Sequence, residues 1–247
     1  MEKGKFEKTK IGTPQGGNLS PLLANIMLNE LDKELEARGL FFVRYADDCN
    51  IFVRSEKSAE RVLKSITTFI EKKLGLIVNA TKTKITRPSN TKFLGFSYVK
   101  MKDKWECKPH FTSYLKFKRK LKKLTKRNWS ISLDVRLAKL NQLIVGWVNY
   151  FRKAKMKNKL AEIGEKLRTR IRVIIWKQWK KISKRYKTLR QLGASHRNAY
   201  LTANCRKGYQ YVCSKATIKV AINNKRLEKR GLVSPLAHYL KVHLVTN

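Results

Sequence analysis

FFVRYADDCNIFVR, residues 41–54, consists of two β-rich runs of aromatic and branched residues flanking a polar centre. That pattern predicts a β-hairpin with Ala46, Asp47 and Asp48 at its tip. Adjacent carboxylates repel one another, and in a chain with 57 Lys plus Arg against 17 Asp plus Glu they are conspicuous. A hard divalent cation gives them a purpose: Mg²⁺ takes oxygen ligands, often one or two carboxylates, and completes its shell with water and substrate phosphates. Asp also favours turns, so the dipeptide alone is equally readable as a solvated Asp-Asp turn.

Helical patterns flank the hairpin. Upstream, Ser20-Pro21 opens a segment with Leu22, Leu23, Ile26, Met27, Leu31 and Leu35 on one helical face, Pro21 suits its first turn and Gly39 its end. Downstream, SAERVLKSITTFIEKKLG repeats the helical period and stops at Gly75. Two β-like runs follow, around residues 76–78 and over 93–99, the latter paired with 105–108 across Lys102-Asp103. Helix, hairpin, helix and further strands predict an α+β layer with one helical face.

The charge is concentrated beyond this layer. The net charge of +40 divides into +7 over residues 1–100 and +33 over 101–247. Such a surplus points to a polyanion, nucleic acid first. The second half reads as helical throughout. A basic amphipathic helix over 111–126 is followed by a stripe of Leu133, Leu137, Leu140, Ile144, Trp147 and Phe151, then by a third helix over about 158–185 with Leu160, Ile163, Leu167, Ile171, Ile174, Ile175 and Trp179 inward. Three such stripes need one another, so a helical bundle follows. Between Cys107 and Leu133 the chain carries no acid. The phosphate-contact candidates are Lys116, Lys118, Arg119, Lys120, Lys122 and Lys123 on the first helix. Arg168, Arg170, Arg172, Lys177, Lys180, Lys181, Lys184 and Arg185 are those of the third, on its outer faces. Trp129, Trp147, Trp176 and Trp179 are nearby for base stacking, with Trp147 and Trp179 expected in the core. The four cysteines form no CxxC pair and read as reduced thiols, the histidines form no site, and no apolar run approaches a membrane span, which together predict a cytoplasmic or organelle-interior protein without a membrane partner.

The motifs also occur in a telling order. GTPQGGNLSP (12–21), YADD (45–48), LGLIVNATKTKI (74–85) and FLGF (93–96) resemble the later palm motifs of reverse transcriptases, and GWVNYF (146–151), IWKQWKK (175–181) and GLVSPL (231–236) resemble the thumb, or maturase domain, of group II intron-encoded proteins. The resemblance implies that Asp47 and Asp48 are two of three palm carboxylates that bind two Mg²⁺ once the palm is complete. It also implies that Gln15, Gly16, Gly17, Tyr45 and Ala46 line the primer-template and nucleotide, that Lys82 lies near the triphosphate, and that FLGF is a strand pair supporting the primer.

The same family's palm begins with fingers and a strand bearing the first catalytic Asp. Upstream of PQGG this sequence offers only Glu2 and Glu7 in a lysine-rich lead. The expected fold is therefore an α+β partial polymerase palm (1–105) followed by an all-α helical thumb bundle (106–247). The expected function is that of a truncated group II intron-encoded reverse transcriptase/maturase, not a polymerase by itself. Its expected partners are intron RNA, an RNA/DNA primer-template, and an N-terminal half or a second copy. The alternative is an RNA-binding splicing cofactor, a maturase with no catalytic activity. A palm lacking its first strands is expected to expose an apolar face and to associate through it.

Overall fold

The computed structural model describes residues 17–102 and 104–244, so Gln15 and Gly16 lie outside the described residues. Two compact units divide between Arg87 and Pro88, upstream of the 105/106 boundary expected from charge.

In the first unit, α1 (Ser20–Ala37) takes Pro21 in its first turn, where the missing N–H costs nothing. It ends where Gly39 adopts φ +63° and Leu40 N–H donates to Leu35 O, a left-handed helix stop. β1 (Phe41–Tyr45) and β2 (Asp48–Phe52) pair antiparallel with Tyr45 opposite Asp48. The turn is thus Ala46-Asp47, and Asp48 opens the second strand. α2 (Glu56–Lys73) starts at Ser55, whose hydroxyl accepts from Ser58 N–H, satisfying one of the orphan donors of a helix start. Leu31, Leu35 and Ile66 are buried, with Phe42, Cys49 and Ile51 of the hairpin packed on them. The strands alternate, so Phe41, Val43 and Tyr45 face away from the helices and are exposed. The exposed apolar face anticipated from the sequence is present, and it is larger than the hairpin. Leu22, Leu23, Ile26 and Met27, expected inward, are exposed too, whereas Leu28 packs on the small core and Asn25 meets Arg44 of β1. The run at 76–78 forms no strand; Ile77 is 94% exposed, with no described strand beside it.

The second unit begins with a tight turn. FLGF, expected as a strand pair, is instead a reversal: Phe93 and Phe96 exchange both main-chain hydrogen bonds around Leu94 (φ +49°) and Gly95 (φ +80°). A Cβ on Gly95 would lie 3.2 Å from Ser113 Oγ and 3.3 Å from Phe151 Cζ, so glycine is needed for space as well as for φ. β3 (Phe96–Met101) then pairs with β4 (Lys104–Pro109) as the sequence suggested. α3 (Phe111–Leu124) starts at His110, whose Nδ1 accepts from Thr112 N–H. α4 (Leu133–Tyr150) buries Leu133, Leu137, Leu140, Ile144 and Val148, and α5 (Lys157–Gln178) buries Leu160, Ile163, Leu167 and Ile171. The expected third helix does not reach 185. It breaks at Trp179, and α6 (Ile182–Gln191) restarts it. Five short helices follow: α7 (His196–Ala203), α8 (Tyr209–Ser214), α9 (Ala216–Ala221), α10 (Asn224–Lys229) and α11 (Pro235–Leu244). One continuous core runs from Phe117 to Tyr239. Tyr239 O–H donates to Ala154 O and His238 Nε2 meets Asn149 Oδ1 at 2.8 Å, which docks α11 on the end of α4. Among the described residues no helix is long and apolar enough to cross a membrane.

Candidate functional site

The Asp47-Asp48 tip is held by an arginine. Arg44 Nε donates to Asp32 Oδ1 at 2.7 Å, a second guanidinium nitrogen donates to Asp32 Oδ2, and Nη1 donates to Asn25 Oδ1 and to Ala46 O, each at 2.9 Å. One side chain thus pins strand β1, two positions of α1 and the turn carbonyl together. The hydrogen bond to Asp32 holds the Arg44 guanidinium above its ordinary pKa, and a fork-to-fork pair of this kind fixes orientation as well as charge. Its reach to Ala46 O sets a turn in which Ala46 is left-handed at φ +53°, a region costly for a residue with a Cβ. Both catalytic candidates are exposed, as are Tyr45 and Ala46. Cys49 lies on the inner face, its thiol pushed up to about 11 by burial, and so is no nucleophile.

Among the described residues no three His, Cys, Asp or Glu side chains gather in one place. Two adjacent, exposed carboxylates fit a Mg²⁺ ion that keeps most of its water and shares its shell with substrate phosphate, rather than a cage that holds metal alone.

Lys82 stands on a small preformed loop. Asn79 Oδ1 accepts from Thr81 N–H, Thr81 Oγ1 and Lys82 N–H, while Asn79 O accepts from Lys82 and Thr83. The Asx turn raises an exposed Lys82 side chain. Gly17 is half-buried just before α1.

In the second unit α3 buries Phe117 and Leu121 and turns Lys116, Arg119, Lys120 and Lys123 to solvent, at the spacing of a single helix face, with Lys122 beside them. Lys118 is half-buried, and its Nζ lies 3.8 Å from Glu162. Lys177, Lys180, Lys181 and Lys184 are exposed around the α5–α6 break.

Residues 1–98 match the reverse transcriptase (RNA-dependent DNA polymerase) family, and residues 114–193 match the group II intron maturase-specific domain. The two matches, one after the other along the chain, support a group II intron-type reverse transcriptase/maturase. It is similar to the retron Ec86 reverse transcriptase of Escherichia coli, 35% identical over 79 residues that cover 30% of this chain and 24% of the relative. Protein YkfC of Escherichia coli K12 is 29% identical over 140 residues, covering 42% and 37%. The group II intron-encoded protein LtrA of Lactococcus lactis is 67% identical over 33 residues, covering 13% and 6%. The chain thus spans well under half the length of each of these relatives.

Within this maturase-type unit several expected contact residues do internal work instead. Arg172 is 3% exposed; its Nε donates to Ile222 O at 2.9 Å and its Nη2 to Asn224 Oδ1. It caps the end of α9 from inside and is not on an outer face, because its position on α5 coincides with the inward stripe. Arg185 donates from Nε to Trp179 O at 2.7 Å, its guanidinium 4.9 Å from the Trp176 ring, so it staples the helix break. Arg168 is half-buried beside Gly164. Trp176 is 1% exposed and has no free face for a base, while Trp147 and Trp179 pack partly buried against the core as expected.

Sequence reading missed three residues with a structural hold on these surfaces. Arg44 and Asn79 carry local signals, one beside the motif and the other an Asn two residues before a Thr. Arg136, 1% exposed, donates to Leu124 O, Lys126 O and Trp129 O; its position within the apolar stripe of α4 was the available clue.

Proposed function

We propose that this chain is the nucleotidyl-transfer hairpin and RNA-gripping portion of an intron-encoded reverse transcriptase/maturase. Its basic helical unit binds group II intron RNA and the primer-template. Asp47 and Asp48 would hold Mg²⁺, which supplies charge neutralisation for the attacking 3′-hydroxyl and the leaving pyrophosphate. Arg44 keeps the turn in place, Tyr45 and Ala46 face the primer-template beside it, and Lys82 meets the triphosphate. Gln15, Gly16 and Gly17 belong to the same nucleotide wall. A third carboxylate comes from another segment or another chain, as does the cover for the exposed α1 and hairpin face. The observation that carries the reading is the order of the two family matches, with the Asp-Asp hairpin in the first and an acid-free basic helix at the opening of the second.

A second reading, splicing assistance without catalysis, is favoured by the +33 charge lying outside the hairpin unit. Intron splicing and RNA-templated primer extension with Mg²⁺, run side by side with Asp47→Ala/Asp48→Ala, separate the two. Extension that disappears in the double variant, on supplying an upstream palm segment, supports the first. Splicing unaffected by the double variant, with no extension under either condition, supports the second. Neither activity in the presence of tight RNA binding would contradict both.

A further inference from the structure

Between the turn that links α3 to α4, the middle of α5 and the start of α8 lies a cleft of about 330 Å³. Its floor is Val173 and Thr125, both buried, and its walls carry Lys126, Arg127, Arg170 and Tyr209. No acidic residue lines it, and none of these cations forms an ion pair with a described acid. The volume is at the small end of the roughly 300–1,000 Å³ of ligand pockets.

The walls are preorganised. Arg170 Nε donates to Thr125 Oγ1, and its Nη2 reaches Lys122 O at 3.2 Å and Thr125 O at 3.3 Å. Lys177 Nζ donates to Arg127 O at 3.1 Å, and Arg136 holds the carbonyls on either side. The turn carbonyls that would repel an anion are thereby occupied, and burial lowers the Arg136 and Arg170 pKa without removing their charge at neutral pH. Tyr209 is half-buried against the core, and the exposed Arg127 guanidinium lies 5.2 Å from the centroid of its ring, so that ring face accepts a planar cationic group.

Cations around an aromatic face in a concave site suit one unstacked nucleotide, whereas a duplex needs only the convex lysine face of α3. We infer that this cleft takes a single flipped-out or bulged nucleotide of bound RNA, its base on Tyr209 and its phosphate on Lys126 and Arg170, with Arg127 moving from the ring to the phosphate. The inference rests on the RNA-binding reading above and gives it a site of local recognition.

The test uses the full chain and two hairpin RNAs, identical except that one carries a single bulged 2-aminopurine. Wild type is expected to bind the bulged hairpin about 10-fold more tightly than the continuous one and to change the probe's fluorescence, one stacked base being sufficient for that ratio. Tyr209→Ala should abolish both effects with its helical circular dichroism intact, and Tyr209→Phe should keep them. Equal affinity of wild type for the two RNAs, or a preference that survives Tyr209→Ala, overturns the pocket and leaves the basic RNA surface standing. Failure to bind either RNA overturns the RNA-binding reading with it.

Discussion

In the first unit α1 buries Leu31 and Leu35, while Leu22, Leu23, Ile26 and Met27 earlier on the same face stand in solvent. In the second, α4 buries Leu133, Leu137, Leu140, Ile144 and Val148 along its whole length. Both helices announce an amphipathic stripe, and only one has described neighbours all along it. A stripe in sequence says which face wants cover; the rest of the chain decides whether cover is there. The charge follows the same division. The second unit has enough core to carry a surface of +35 over residues 88–247, whereas the first presents two carboxylates on a hairpin steadied by Arg44.

Core truncations should break the comparison most sharply. Leu140→Ala, at a fully buried site, is expected to cost about 3 kcal/mol in chemical denaturation, while Leu22→Ala should cost less than about 0.5 kcal/mol. Equal losses would mean that α1 is covered in solution. Next comes Arg172: Arg172→Ala leaves Ile222 O and Asn224 Oδ1 without their buried donor and should cost about 1–3 kcal/mol, with the salt dependence of RNA binding by the folded variant unchanged. A shallower salt dependence would return Arg172 to the RNA surface. A smaller effect is expected at the turn, where Ala46→Gly relieves a left-handed residue and should stabilise the first unit by at most about 1 kcal/mol in hydrogen exchange of α1 and the hairpin. Destabilisation there would show that the turn gains more from Ala46 than its φ costs.

The smallest effect concerns pH. Burial, with Lys92 and Lys108 nearby, lowers the His110 pKa below its ordinary value, and its neutral Nδ1 accepts the first hydrogen bond of α3. The unfolded chain therefore binds this proton more readily. The contribution is complete at neutral pH and is lost as pH falls through the ordinary His value of about 6.5 toward the lower folded one. His110→Asn, which keeps a capping acceptor, should flatten that part of a melting-temperature profile; an unchanged profile would remove His110 from the account.

Much of the fold was legible because helices and hairpins are local. Pro21, Gly39 and Gly75 mark helix ends by backbone chemistry that needs no tertiary partner, and the YADD tip was readable from flanking β-rich runs. What escaped depends on distant neighbours. The run at 76–78 looks like a strand and has no described strand to join, and FLGF spends its apolar letters on a reversal against Ser113 and Phe151. Arg172 and Arg136 look like surface cations until main-chain carbonyls from other elements meet them. A cationic side chain can meet phosphate, the chain's own carbonyls, or both, and composition does not distinguish these uses. Lys116, Lys120 and Lys123 remain on the outer face after those internal duties are subtracted.

The central claim is that the grip on RNA resides in the second unit and is independent of the Asp47-Asp48 hairpin. It is tested most directly by the slope of log affinity against log salt for a structured intron RNA. The triple variant Lys116→Ala/Lys120→Ala/Lys123→Ala should reduce the slope by about 2, given somewhat under one released counterion per lost phosphate contact, and Asp47→Ala/Asp48→Ala should leave it unchanged. An unchanged slope in the lysine variant, or one altered by the aspartate pair, would contradict the account.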